Sequence, residues 1–181
     1  MELQQTPLKD CFIVIPRAFE DARGVFCETY NQETFQKVTG LTTNFVQDNQ
    51  STSRKGVLRG LHYQTGAMAQ AKLVRAVRGR VLDIVVDLRK DSETFGHSFS
   101  LELTAENRKQ LFVPRGFAHG FITLSETSVF GYKCDNYYDA ASEGGIIYND
   151  ATLNLDWHLP EEEFIVSEKD LLLPTFKEAT A

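Results

Sequence analysis

The chain is poor in several residue types, and each scarcity removes a class of protein. Its 181 residues contain only three cysteines, Cys11, Cys27 and Cys134, and no two of them form a C-x-x-C pair. An odd, scattered set fits neither a disulfide framework nor a zinc knuckle, so the three are read as buried free thiols. No apolar run approaches the roughly 20 residues that span a bilayer. The first residues, Met1 to Gln5, are polar and lack a basic-then-apolar signal pattern, so the expected location is cytoplasmic, away from the membrane. Cations are outnumbered, with 19 Lys and Arg against 25 Asp and Glu and a net charge of -6. That balance argues against non-specific nucleic-acid binding, which needs basic surface. There is no Gly-rich phosphate loop and no G-x-S-x-G elbow, which excludes P-loop hydrolysis and Ser-His-Asp hydrolysis of that type. The four histidines, at 62, 97, 119 and 158, form no H-x-H or H-E-x-x-H pair. Two of them can still converge in a barrel, but with Lys72 nearby a dication is disfavoured, and no metal is expected.

What is present is a series of short strands. Cys11–Pro16 reads as a strand stopped by Pro16, Asp21–Gly24 as a turn, and Val25–Tyr30 as a second strand. One short helix is expected from Asn31 to Val38, with Asn31 as its N-cap, Phe35 and Val38 facing inward, and Gly40 as its stop. Further strands are expected over 43–49, 56–64, 71–78, 80–88, 98–104, 109–113, 118–124 and 127–135, with weaker ones at 145–148 and 152–156. Strands at this spacing with hardly a helix mean an all-β sandwich, jelly roll or barrel, and crossover helices for a parallel sheet are missing. Residues 1–181 are read as one domain whose tail, about 159–181, packs back as short helical turns.

The stretch Arg59-Gly-Leu-His-Tyr-Gln-Thr-Gly-Ala-Met-Ala-Gln-Ala-Lys72 carries the chemistry. A histidine that protonates near neutral pH, beside fixed cations, suits acid–base work on an anion. Strand alternation puts His62 and Gln64 on one face, and Lys72, Val74 and Ala76 on one face of the next strand. A lysine among small apolar residues either lines a cavity or sits on a solvated face, and spacing alone leaves both open. Arg59 points away from His62 in a straight strand; a bulge at Gly60 brings the two together. His119 lies between glycines in Pro114-Arg-Gly-Phe-Ala-His-Gly-Phe121. Asp83 is a carboxylate inside an apolar strand and needs a partner, for which a histidine is well suited. Tyr132, Tyr137 and Tyr138 are packing residues or proton donors. Ser167-Glu-Lys-Asp170 has the spacing of a helix start.

These segments together resemble a known family. Asp21-x-Arg-Gly-Val-Phe-x-Glu28, Gln47-Asp-Asn-Gln-Ser51, Val57-Leu-Arg-Gly-Leu-His-Tyr-Gln64, Gln70-Ala-Lys-Leu-Val-Arg75, Gly79-x-Val-x-Asp83, Asp91-Ser-x-Thr-Phe-Gly96, Pro114-x-Gly-Phe-Ala-His-Gly-Phe121, Tyr132-Lys-x-x-x-Tyr-Tyr138, Asn149-Asp150 and Lys169-Asp170 run in order from Phe12 to Pro174. The chain is similar to the dTDP-4-dehydrorhamnose 3,5-epimerases, cupin-fold enzymes of dTDP-L-rhamnose synthesis. The resemblance implies a cupin-type jelly roll, a homodimer, a dTDP-sugar substrate and no cofactor. It implies His62 as the base, Asp170 as its orienting partner, Lys72 as the enolate clamp and Tyr132 as the acid. It further implies that Arg23, Arg59 and Lys169 bind the diphosphate and nucleotide end. Glu28, Gln47, Asp48, Asn49, His119 and Glu143 would contact nucleotide or sugar, Tyr138 would stack on thymine, and His119 would pair with Asp83. Met68 and Ala69 depart from the family's usual residues in a loop, and Glu168 leaves the alignment of Lys169 open by about one position. Two alternatives stand beside the double epimerase: an epimerase acting at carbon 3 or 5 alone, and a non-catalytic cupin that binds nucleotide sugars.

Overall fold

The computed structural model describes residues 1–181. Thirteen strands follow one another: β1 (Glu2–Gln5), β2 (Phe12–Ile15), β3 (Ala18–Asp21), β4 (Gly24–Cys27), β5 (Gln47–Arg54), β6 (Leu58–Gln64), β7 (Lys72–Arg78), β8 (Arg80–Asp87), β9 (Ser98–Thr104), β10 (Gln110–Val113), β11 (Phe117–Thr123), β12 (Thr127–Cys134) and β13 (Glu143–Gly145). Helix α1 (Gln32–Thr39) sits between β4 and β5, and the short helices α2 (Glu168–Leu171) and α3 (Phe176–Ala179) lie in the tail. A six-stranded sheet, β1-β2-β10-β7-β12-β5, is accompanied by a five-stranded sheet, β13-β6-β11-β8-β9; β3 and β4 form a separate hairpin. All pairings between these strands are antiparallel. This is an all-β jelly roll of the cupin type.

Burial explains the strand sequences. Val74, Ala76, Val81, Val85, Phe121 and Phe130 belong to one apolar cluster, drawn from strands of both sheets. The alternate residues Leu82, Ile84, Val86, Ala118 and Ile122 cluster instead with Ile146, Tyr148 and Trp157 from the C-terminal part of the chain. β8 and β11 are therefore covered on both faces and read as continuous apolar runs. α1 forms as expected: the Asn31 side chain accepts a hydrogen bond from the Thr34 N–H, and Gly40 ends the helix at φ 72°. Phe35 is fully buried and packs with Phe12, Val14, Leu73 and Phe112.

Two expectations are corrected, and one strand was not foreseen. The strand foreseen at 43–49 runs over Gln47–Arg54 instead, and its polar composition disguises it. The polar N-terminus pairs with β2 as β1, which backbone hydrogen bonding decides without any apolar pattern. Residues 152–156 form a turn rather than a strand, because Asp150 Oδ1 accepts from the Thr152 and Leu153 N–H groups.

The tail is tied across the barrel. Ile165 exchanges backbone hydrogen bonds with Gly56 and Leu58, and Lys55 pairs with Glu163 at 2.8 Å. Gly56 adopts φ +80°, and a Cβ there would lie 2.0 Å from the Glu163 carbonyl oxygen, so only glycine admits this strap. The strap delivers α2 to the open end of the jelly roll.

Candidate active site

The expected bulge is present. Between β6 and β11, His119 pairs with His62 and Phe121 with Arg59, so two steps on β11 face three on β6. Gly60 takes φ +116°, and a Cβ on it would lie 2.7 Å from both Gly120 Cα and the His119 carbonyl oxygen. The extra residue sets Arg59 and His62 on the wall of one cavity despite their odd spacing.

That cavity has a volume of about 620 Å³, and Arg59, His62, Lys72, His119, Tyr132, Lys169 and Asp170 are among its lining residues. A smaller space of about 270 Å³ shares His62, Lys72 and Tyr132 with it and adds Gln47, Asn49, Tyr138 and Glu143. Eleven of the fourteen expected site residues therefore line one or the other of these two spaces, which have His62, Lys72 and Tyr132 in common.

At its centre His62 Nε2 lies 2.8 Å from Asp170 Oδ1. Asp170 is buried, and Gly60 N–H donates to its other oxygen at 3.2 Å. Ser167 caps α2 by accepting from the Asp170 N–H, as the helix-start spacing suggested. Burial by itself raises the carboxyl's pKa. The His62 hydrogen bond and charge, with the Gly60 and Ser167 contacts, outweigh it and hold the group below its ordinary value. Asp170 is thus a carboxylate at neutral pH. It accepts Nε2–H, which leaves Nδ1 of His62 as the basic nitrogen.

Lys72 sits with its Nζ 6.0 Å from the centre of the Tyr132 ring. Burial lowers its pKa, and Cys134, Asp83 and Glu143 oppose that fall. Tyr132 moves the other way: burial and Cys134 raise its pKa while Arg59 lowers it, so it remains a protonated phenol at neutral pH. His119 Nε2 is 2.8 Å from Asp83 Oδ2, the partner expected from the sequence. Burial raises the Asp83 pKa against the pull of His119 and Lys72. At the rim, Glu143 accepts from Lys169 at 2.6 Å and from the Tyr138 hydroxyl at 2.9 Å.

Three expected residues do not reach the cavity of their own chain. Arg23 lies in the β3–β4 turn and bonds to Asp21, with its side chain 90% exposed. Glu28 follows the same hairpin and contacts Asn31 at 3.3 Å. Asp48 alternates with Gln47 and Asn49, so its side chain turns to the outer face and pairs with Lys133 at 2.9 Å. In the other direction, sequence reasoning missed Ser51 and Arg54, both on the cavity wall. Once β5 is known to be a strand, the alternation Gln47, Asn49, Ser51 would have found Ser51. No group of three or more His, Cys, Asp or Glu side chains gathers in a way that could hold a metal ion.

Fold and cavity together define a jelly-roll protein with a histidine–carboxylate dyad, a lysine and a tyrosine facing one anion-friendly pocket. The comparisons with known proteins narrow that class. The sequence pattern of the dTDP-4-dehydrorhamnose 3,5-epimerases matches residues 5–178. The enzyme of that name from Salmonella typhimurium strain LT2 is 49% identical over 178 residues, covering 97% of this chain and 95% of the other. The crystal structure of the dTDP-4-dehydrorhamnose 3,5-epimerase from Elizabethkingia anophelis NUHP1 superposes with a TM-score of 0.96 at 57% identity, covering 100% of this chain and 99% of that one. A dTDP-6-deoxy-D-glucose-3,5-epimerase from Legionella pneumophila, solved with dTDP-4-keto-L-rhamnose, gives a TM-score of 0.93 at 41% identity over 97% of this chain and 93% of that one. The chain belongs to the dTDP-4-dehydrorhamnose 3,5-epimerase family.

Proposed function

We infer that this enzyme epimerises carbons 3 and 5 of dTDP-4-dehydro-6-deoxy-D-glucose, giving dTDP-4-dehydro-L-rhamnose. The observation that carries the reading is the 2.8 Å His62–Asp170 dyad in the same cavity as Lys72 and Tyr132. The 4-keto group acidifies the hydrogens on the two neighbouring carbons. His62 Nδ1 removes a proton from carbon 3 or carbon 5, and the electron pair moves onto the keto oxygen as an enolate. The Lys72 ammonium stabilises that oxygen as a preorganised charge. Proton return on the opposite face inverts the carbon, and Tyr132, kept protonated by burial, is the donor at carbon 5. Each step consumes one proton and returns one, so the reaction needs no redox cofactor. Water returns the proton at carbon 3, His62 passes its first proton to solvent before it takes the second, and solvent reprotonates Tyr132, so a single base serves both carbons.

Arg59 and Lys169 are suited to the diphosphate, and His119, held by Asp83, to the sugar. Gln47, Asn49, Glu143 and Tyr138 line the smaller neighbouring space and are suited to the nucleoside. The reading includes a homodimer. The β3–β4 hairpin exposes Phe19 at 50%, Val25 at 50% and Phe26 at 69%, an apolar edge that water disfavours. Arg23 and Glu28 lie on or beside it and line neither of the two spaces around His62. A second copy receiving this hairpin at its cavity mouth accounts for both facts. The reading treats residues 1–181 as one functional unit, with the tail supplying Asp170. No helix is long and apolar enough to cross a membrane. Cytoplasmic placement is part of the same reading, and the three free cysteines suit a reducing compartment.

The test is to incubate the enzyme with dTDP-4-dehydro-6-deoxyglucose in deuterated water and follow both carbons by NMR. Deuterium at carbons 3 and 5 with the L-sugar as product is expected. Exchange at one carbon would make it a mono-epimerase, and tight binding without exchange a binding protein.

A further inference from the structure

Asp170 stands on a helix too short to hold its own position. α2 is a single turn of four residues, and one turn is unstable without tertiary support. Its place is therefore set by the chain anchored on either side. Upstream, the Ile165 N–H donates to the Gly56 carbonyl at 2.9 Å, and the Ile165 carbonyl accepts from the Leu58 N–H at 3.1 Å. Downstream, the Pro174 carbonyl accepts from the Ile147 N–H at 2.9 Å. Three leucines separate Asp170 from Pro174, and they behave differently. Leu171 is 48% exposed and Leu172 85%. Leu173 is half-buried, and it packs onto a glycine. A Cβ at Gly145 would lie 2.6 and 2.8 Å from the two methyl carbons of Leu173, so this side chain takes the space that a larger residue at 145 would fill. Gly145 pairs with His62 between β13 and β6. The seat of α2 is thus built on the strand beside the base that α2 serves. Leu173 belongs to none of the three apolar clusters and lines neither of the two spaces around His62.

We propose that Leu173, seated on Gly145, is a positioning residue for the reaction: it fixes α2 against β13 and so sets the His62–Asp170 contact. The inference rests on the epimerase reading above and deepens it, because the base is the same. Leu173 reaches no substrate and acts through Asp170. Truncating Leu173 empties the seat and frees α2 to shift. Adding a methyl group at 145 pushes Leu173 away from the strand and displaces α2 from the other side. Either change misplaces a carboxylate whose work is to orient the His62 ring, and a misplacement of about 1 Å costs up to about 10²-fold in rate. The Cβ at 145 would also lie 2.7 Å from the Leu61 carbonyl oxygen, so Gly145→Ala strains β6 as well. Leu173→Ala is the cleaner probe, since the core clusters do not include Leu173.

The experiment measures kcat and KM on dTDP-4-dehydro-6-deoxyglucose for Leu173→Ala, in the wild-type protein and on an Asp170→Asn background. In the wild-type protein the substitution is expected to lower kcat about tenfold and to leave KM within about twofold. On the Asp170→Asn background it is expected to cost less than about twofold further, because the contact it serves is already gone. Leu173→Met refills the seat and should recover most of kcat. Leu173→Val, a smaller truncation, should give the same pattern at lower amplitude, and it carries the test if the alanine variant is unstable. A second readout needs no substrate: heteronuclear NMR of histidine-labelled protein follows the His62 Nε2–H held by Asp170. That signal is expected to broaden or vanish in Leu173→Ala and to persist in Leu173→Met. Equal losses of kcat in both backgrounds, a change in KM alone, or an unchanged kcat and imidazole signal would overturn the proposal. Wild-type protein that exchanged neither carbon of the substrate would instead overturn the epimerase reading beneath it, and the imidazole signal would still decide whether Leu173 sets the contact.

Discussion

His62 and Asp170 stand 108 residues apart in the chain and 2.8 Å apart in space. The strap 159–181 creates that contact, and α2 fixes it through the Ser167 cap and the Gly60 N–H. An amide at position 170 keeps the shape but loses the charge that holds the His62 tautomer. Asp170→Asn is therefore expected to lower kcat about 10²- to 10⁴-fold, with KM little changed. Steady-state kinetics check this, and a fall in binding alone would remove Asp170 from the proton-transfer machinery.

Lys72 predicts the alkaline limb of the rate profile. Burial lowers its pKa, so the ammonium is present below that value and lost above it. Activity that needs the ammonium should fall at a pH below the ordinary lysine value of about 10.4. Neighbouring groups titrate later, because burial raises Tyr132 and pushes the Cys134 thiol up to about 11. Lys72→Gln should lower kcat about 10²- to 10³-fold and abolish the limb. A pH–rate profile of both proteins decides, and an unchanged limb in the variant would assign it elsewhere.

The proposed homodimer predicts complementation between two inactive proteins. If the β3–β4 hairpin serves the partner's cavity, Arg23→Ala and His62→Ala damage different components of one shared site. Mixed dimers of the two variants then contain one site with both lesions and one with neither. Remixing equal amounts after mild dissociation should restore about a quarter of wild-type activity, since about half the dimers are mixed and each of those carries one intact site of two. No recovery in dimers verified as mixed would mean that Arg23 serves its own chain.

Asp87 predicts the acid limit of the fold. The fully buried carboxylate accepts from Arg89 at 2.8 and 2.9 Å, from Ser92 at 2.6 Å and from Thr94 at 2.7 Å. Burial raises its pKa, but these bonds overcome that and bring it down to about 2. The folded value lies below the unfolded value of about 3.9, so its contribution is complete above about pH 4 and lost as pH falls toward 2. Asp87→Asn should cost about 3 kcal/mol near neutrality, as expected when one partner of a buried pair is removed. Denaturation followed between pH 5 and 2 should show a smaller loss on acidification in the variant than in the wild type.

Much of this was legible before any coordinates. Punctuation by glycine and the absence of helical periodicity indicate an all-β sandwich, jelly roll or barrel, the family resemblance selects the jelly roll, and Asn31 and Gly40 bracket the one substantial helix. The strands that escaped were those whose pattern is set by something other than an apolar core. β5 was expected four residues early, at 43–49, and its second half looks like loop because its inward residues are polar: Gln47, Asn49 and Ser51 line the cavities and Ser53 holds Arg59. β3 was missed because its hairpin partner β4 leaves Phe26 in solvent, a face that finds no cover within one chain. The site was half visible: His62, Lys72 and Arg59 share a stretch, and the bulge at Gly60 could be anticipated. Spacing could not bring in Asp170, whose approach depends on the strap, nor show that Asp48 turns outward until the strand register was known.

The central claim is that one histidine removes the protons from both carbons. The direct measurement is deuterium uptake at carbons 3 and 5 of dTDP-4-dehydro-6-deoxyglucose by His62→Ala, followed by NMR against wild type under the same conditions. Uptake at both positions is expected to be lost together. Uptake persisting at either carbon at near wild-type rate would contradict it, because a second base would then have to serve that carbon.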